Sequence, residues 1–358
     1  MGNKSVKERT RFDMIFQYGY LRQNSLINSF YRLGPYSIMG KRNPKNSIVS
    51  LLHGVKTIKK DKLSVSIHDY AECVKQKKTT GIRTSMFKLL DVIILWFNQN
   101  NNVPDVNFQL EEYMRLCGLV DPKETRRQIN SDLEILSAIS LGYKDKSVTC
   151  SDIKLIENGA IKNSFITAHL ASDFAKMLSK CPVMPYPLAL LSIRSDKIPN
   201  APYMLRKMAE QKNLNYKKPN ENVISVRTLI ESCPLIPAIE EVRGSNNRSQ
   251  KERIITPLIR DLKEACSKVG ISNYTFVMKD CMGKSEVSLE EFFNLSYEVI
   301  TNNISVKFSD EWPEYPVRTL TEKNGSKHRS SRGRGEGNTP KGGKLIHQEG
   351  GNDTPSPS

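Results

Sequence analysis

From Ser85 onward apolar residues recur at helical spacing: Met86, Leu89, Leu90, Ile93, Ile94 and Phe97. This pattern predicts an amphipathic helix, stopped by the Asn/Gln run 98–102 and by Pro104. Val106-Asn-Phe108 predicts a short strand and Leu110–Cys117 a second helix, with Gly118 suited to the left-handed position that closes it. Asp121-Pro-Lys-Glu124 opens a third helix, with Asp as N-cap, Pro at the first helical position and Glu able to reach back to the cap. Ile129, Leu133 and Leu136 form its apolar stripe. Strands are expected over Ile139–Lys144, Asp152–Ile156 and Phe165–Leu170. Glu157-Asn-Gly-Ala160 is expected to be the hairpin turn, because Asn-Gly supplies the positive φ of a type I′ turn.

A similar programme follows the Pro-rich stretch Cys181–Pro187, which reads as an inter-domain joint. Leu188–Ile193 predicts a short helix, and Asn200-Ala-Pro202 caps another carrying Met204, Leu205 and Met208. Ser225 caps Val226–Ser232, which Pro234 stops. Ser249-Gln-Lys-Glu252 reads as a capping box before Ile255, Leu258, Ile259, Leu262 and Cys266. Pro257 within that stretch implies either a kink or a helix that begins there. Tyr274–Lys279 and Tyr297–Phe308 are expected strands, with Gly283 in the turn region between them.

Three helices followed by a hairpin is the order of a winged helix. The fold class is therefore α+β, two tandem winged-helix (helix-turn-helix) domains over 61–180 and 188–312. A flexible, partly ordered basic segment, 1–60, precedes them; within 61–180, Leu63–Ile67 alternates as a strand does. The tail 318–358 is Gly, Ser, Thr, Asn and Pro with charges, and its composition predicts disorder.

Charge sharpens the picture. The 358 residues carry a formal net charge of +16, which favours an anionic partner. Residues 1–60 hold +10 of it and 318–358 hold +4, so the middle is nearly neutral and any nucleic-acid surface there must come from local clusters. Seven cysteines, an odd number without a CxxC pair, suit a reducing cytoplasm and have the spacing of neither a disulfide framework nor a zinc site. The opening MGNKSVKERT has no apolar signal core, and Leu89–Phe97 is too short to span a bilayer, so no membrane role is expected.

The third helix carries Lys123, Arg126, Arg127 and Asn130 off its apolar stripe. Arg can bond guanine, and Asn adenine, through two hydrogen bonds each, and a helix in the major groove presents its first turns to base edges. The corresponding helix of the second unit offers Arg248, Gln250, Lys251, Arg253 and Arg260, interspersed with Glu252, Asp261 and Glu264. Lys144 and Lys146 at one wing, and Lys279 and Lys284 at the other, are placed for phosphate contacts. Arg329-Ser-Ser-Arg332-Gly-Arg334 in the tail has the composition of a nucleic-acid-binding arm. A solvated helix face is the ordinary alternative for such charges.

Catalytic motifs are missing. Gly283-Lys-Ser285 lacks the upstream glycine of a P-loop, the five His are isolated, and no carboxylate pair is marked. The residues predict neither an enzyme nor a cofactor or metal.

Several segments together resemble plasmid and phage replication initiators of the tandem winged-helix type, in particular those of Gram-positive bacteria and their relatives. They are Leu89-Leu-Asp-Val-Ile93, Leu110-Glu-Glu-Tyr-Met-Arg-Leu-Cys-Gly118, Glu124-Thr-Arg-Arg-Gln-Ile-Asn-Ser-Asp-Leu133, Met184-Pro-Tyr-Pro187, Asn222–Pro234 and Arg253-Ile-Ile-Thr-Pro-Leu258. The resemblance covers roughly 84–310. It implies binding of both winged helices to repeats in double-stranded DNA at an origin, opening of a neighbouring AT-rich stretch, recruitment of host initiation or helicase-loading proteins, and a possible homodimer that represses its own gene. By position, the reading helices would be Lys123–Leu136 and Gln250–Glu264. A transcriptional regulator of a mobile element uses the same modules, and a packaging protein acting on RNA or DNA through its basic ends is a third reading.

Overall fold

The computed structural model describes residues 20–24, 30, 31, 33, 47–60, 62–73, 85–144, 149–180, 183–193, 197–215, 218–244, 249–271, 273–278 and 285–309. Within the basic N-terminal segment lie β1 (Tyr20–Asn24) and the hairpin of β2 (Ile48–Leu52) and β3 (Val55–Lys60), closed by His53 and Gly54 at φ 48° and 79°. β4 (Leu63–Ile67) alternates as its sequence predicts, with Leu63, Val65 and Ile67 buried.

The first helix, α1 (Ser85–Gln99), is buried nearly all round, a central helix more than a surface one. β5 (Asp105–Gln109) leads into α2 (Leu110–Cys117), which ends on Gly118 at φ 64°. α3 (Pro122–Ser137) starts as its sequence requires: the Asp121 carboxylate accepts from the backbone N–H of Lys123 and Glu124, and Pro122 sits in the first turn. Then come β6 (Ile139–Lys144), β7 (Thr149–Lys154), β8 (Ile156–Lys162), β9 (Phe165–Leu170), α4 (Ser172–Lys180) and β10 (Val183–Pro187).

The expected turn at Asn158–Gly159 is not a turn. β8 continues through it, with a shift of register against β9 between Ile156 and Asn158, and the chain reverses at Asn163 and Ser164, with φ of 47° and 68°, between the paired residues Lys162 and Phe165. The glycine has another reason. β8 lies so close to α3 that a Cβ on Gly159 would stand 2.7 Å from Leu133 Cδ2. Gly159→Ala should therefore destabilise the protein by ~1–3 kcal/mol through overpacking. An unchanged urea midpoint would show that β8 and α3 can separate without cost.

The second half comprises α5 (Ala189–Ser192), α6 (Ala201–Leu214), β11 (Val223–Ser225), α7 (Val226–Ser232), α8 (Ile239–Gly244), α9 (Thr256–Lys268), β12 (Tyr274–Met278), β13 (Glu286–Val287), α10 (Leu289–Asn294), α11 (Tyr297–Asn303) and β14 (Ile304–Phe308). Ser225 caps α7 as expected, accepting from Thr228 N. A π turn, Lys251–Ile255, runs directly into α9. Pro257 has no N–H for the backbone ladder, and the widened turn before it accommodates that loss. Residues 297–308 are a helix and a strand instead of one strand: Ser296 accepts from Val299 N and starts α11, and only Ile304–Phe308 is extended.

Both halves have the same topology. β5, β9 and β8 form an antiparallel sheet in that order behind α1, α2 and α3. β11, β14 and β12 repeat the order behind α6, α7 and α9, with β13 added at the edge. These are two winged helices in tandem. The first holds an insertion, β6–β7, which joins β2, β3 and β4 in a five-stranded antiparallel sheet, and the second holds α10 and α11 inside its wing. One continuous apolar core runs from Phe30 to Phe308. No helix among the described residues is long and apolar enough to cross a membrane.

Candidate nucleic-acid interface

On α3, Ile129, Leu133 and Leu136 face inward as predicted, and Lys123, Arg127 and Asn130 form an exposed stripe on the opposite side. Their spacing of four and three residues keeps them on one face. Arg127 is bracketed by Glu124, donating from Nε to Oε2 at 3.0 Å and from Nη2 to Oε1 at 2.8 Å. The bonded Glu124 carboxylate pushes the Arg127 guanidinium further above its ordinary range. Arg127 is exposed and Glu124 about half so, and in reach of water the pair orients Arg127 more than it stabilises the fold.

Arg126 has a different place. It is half-buried, and its Nη2 donates to Ser164 Oγ at 2.9 Å, tying the helix to the tip of the β8–β9 hairpin. The Ser164 carbonyl in turn accepts from Leu110 N at 2.8 Å. The wing tip, the first turn of α2 and the second turn of α3 thus meet at one corner. Lys162, Asn163 and Ser164 are exposed there. These three were not anticipated. The signal was a polar pair between two alternating apolar runs, masked by the stronger Asn-Gly just before it.

Lys144 does not lie on that hairpin. It ends β6 in the five-stranded sheet, because the chain inserts β6–β7 between α3 and the true wing. Lys146, Arg248, Lys279, Lys284 and the tail arginines lie outside the described residues.

The helix expected to read DNA in the second unit is more committed to the protein. Lys251 donates to the Phe293 carbonyl, and Gln250 and Arg253 are half-buried. Arg260 is exposed, yet its Nε donates to Asp261 Oδ1 at 2.7 Å. Asp261 itself is fully buried and holds the start of α6, accepting from Asn200 N at 2.9 Å and Asn200 Nδ2 at 3.0 Å. The outward stripe of this helix is Glu252, Thr256, Arg260 and Lys263, and Lys263 is a further basic residue that the sequence reading had not singled out.

One cluster brings serine, histidine and aspartate together, but not in catalytic order. Ser140 Oγ and Asp152 Oδ1 both lie 3.0 Å from His68 Nε2, and Ser140 also donates to Asp152. Both partners share one ring nitrogen, so no carboxylate orients the imidazole from its other side as a nucleophile-activating triad requires. The hydroxyl of Ser140, and His68 after it, hold the Asp152 carboxyl below its usual range. His169, at 2.7 Å from Asp105, is a cross-strand pair of β9 and β5. Burial pushes the Cys117 and Cys266 thiols up to about 12, which keeps them un-ionised. Among the described residues no three His, Cys, Asp or Glu converge as a metal site.

No protein-family profile and no curated protein matches the chain by sequence. Solved structures align with it. The Pi initiator protein in complex with iteron DNA shares 14% identity over 58% of this chain and 82% of its own, with a TM-score of 0.37. Domains 2 and 3 of RctB share 9% over 79% of this chain and 98% of theirs, with a TM-score of 0.39.

Proposed function

We propose that the chain is a non-enzymatic protein of the cytoplasm that binds repeated sequences in double-stranded DNA at a replication origin and initiates replication there. The observation that carries this reading is the exposed Lys123, Arg127 and Asn130 stripe at the start of α3, flanked by the wing tip to which Arg126 is bonded. A helix with that face fits a major groove, and the adjoining wing reaches the sugar-phosphate backbone. α9 offers a second, weaker face with Arg260 and Lys263. Host initiation or helicase-loading proteins and a second copy of the chain are the further partners of this reading. It needs no cofactor.

The DNA flanking the gene should carry short direct repeats, and purified protein should retard a duplex of them at concentrations that leave random DNA of equal length free. Affinity should fall steeply between low and physiological salt, because each phosphate neutralised by Lys or Arg releases counterions. Equal affinity for random DNA would remove the sequence-reading function. A regulator of transcription would use the same surface, and the genetic test separates the two: only an initiator, with its flanking DNA, sustains a plasmid lacking its own origin. A packaging protein acting through the basic ends would lose binding when 1–60 and 318–358 are deleted, whereas a winged-helix reader keeps most of it.

A further inference from the structure

Charge and composition give the N-terminal segment no part in a core, yet it is bound to both winged helices and to the joint between them. β1 pairs antiparallel with β10 over five residues, from Tyr20 opposite Pro187 to Asn24 opposite Val183, and β10 is the connection between the halves. Phe30, Tyr31 and Leu33 are buried, with the rings of Phe30 and Tyr31 5.8 and 5.2 Å from that of Phe87 on α1. The Tyr31 hydroxyl lies 2.8 Å from Asp91 Oδ1 and 2.8 Å from the Phe87 carbonyl, both acceptors on α1. Across the boundary, Arg206 of α6 pairs with the same Asp91 carboxylate and lays its guanidinium 3.9 Å from the centroid of the Tyr31 ring. Asp91 is 1% and Arg206 8% exposed. Lys88, one turn before, donates to the Ile193 carbonyl of the second half at 2.6 Å.

A buried ion pair is a poor source of net stability, because desolvating both charges offsets most of their attraction. What it does supply is direction: a bifunctional carboxylate, a planar guanidinium and a ring satisfy one another in one relative placement of α1 and α6. A purely apolar contact would tolerate sliding. Each of these helices is the first of its winged helix, packed behind the reading helix α3 or α9.

We propose that Tyr31, Asp91 and Arg206 are positioning residues that, with the β1–β10 strap, hold the two winged helices at one separation and angle, so that the protein accepts two half-sites at a single spacing. This rests on the reading of both units as DNA readers. Adding one base pair between half-sites moves them apart by about 3.4 Å and rotates one about 35° relative to the other, a change that a fixed pair of helices cannot follow.

The test uses the full chain and a duplex first chosen by footprinting, then altered by one or two base pairs between the two protected halves. The wild type should lose at least about tenfold in affinity per altered base pair. Tyr31→Phe, which removes one oxygen, and Arg206→Gln should bring that penalty to within about threefold, and Arg206→Lys should restore part of it. If Arg206→Gln fails to fold, Tyr31→Phe decides alone. Folded variants that keep the full wild-type penalty, or a wild type indifferent to spacing, overturn the inference while leaving sequence-specific binding intact. Absence of any preferred duplex overturns the DNA-reading function as well.

Discussion

Arg127→Ala combined with Asn130→Ala is expected to lower affinity for the preferred duplex at least about 30-fold, taking the smaller end of what two lost base contacts cost. Binding to random DNA at low salt should change far less, since phosphate contacts dominate there. The two residues lie one turn apart on the exposed face of α3, the face that the proposed function directs at a groove. Glu124 does not cancel Arg127. The carboxylate holds Nε and one Nη, and an exposed pair of this kind is worth little in water, so guanine can replace it. Arg126→Ala should behave differently. Its side chain is spent on Ser164, so its loss frees the wing tip and weakens all sequences alike. Competition titrations with specific and random duplexes distinguish the two patterns. An unchanged specific affinity in the double variant would move the reading face off α3.

Much of this site was legible because its determinants are local. Asp121, Pro122 and Gly118 set the ends of α2 and α3 by backbone chemistry that needs no distant partner, and the period of Ile129, Leu133 and Leu136 states which face is buried. The wing was misplaced because Asn158-Gly159 has strong turn chemistry that tertiary packing overrode: Leu133 needs the space a glycine leaves. The five-stranded sheet joins β4 to β6 across some seventy residues, a pairing that no local pattern encodes. The strap was hidden for the same reason. Phe30, Tyr31 and Leu33 are three apolar positions in a basic, polar stretch, and their burial becomes apparent only beside Phe87 and Arg206. In the second unit, Tyr297–Phe308 was expected as one strand, although Ser296 carries a readable helix start. Ser288 and Glu291 likewise form a complete capping box at α10.

Asp261→Ala should destabilise the protein by roughly 2–6 kcal/mol, at ~1–3 for each of the two buried donors left without an acceptor. The donors are Asn200 N and Nδ2, and Asn200 is 2% exposed, so water does not readily replace the carboxylate. Asp261→Asn should cost less, because both donors bond Oδ2 and a carbamoyl oxygen in that place can accept them, while the amide NH2 that replaces Oδ1 cannot accept from Arg260. The site also governs α9, the helix proposed as the second reader. Asp261 directs Arg260 by accepting from its Nε, and it fixes α9 against the start of α6. Losing it therefore frees Arg260 while loosening the helix that presents it. If α9 reads DNA, Asp261→Asn should reduce affinity for the preferred duplex at a temperature where the variant remains fully folded by circular dichroism. If it loses stability but binds as the wild type does, α9 is a scaffold element, and recognition belongs to α3 and its wing.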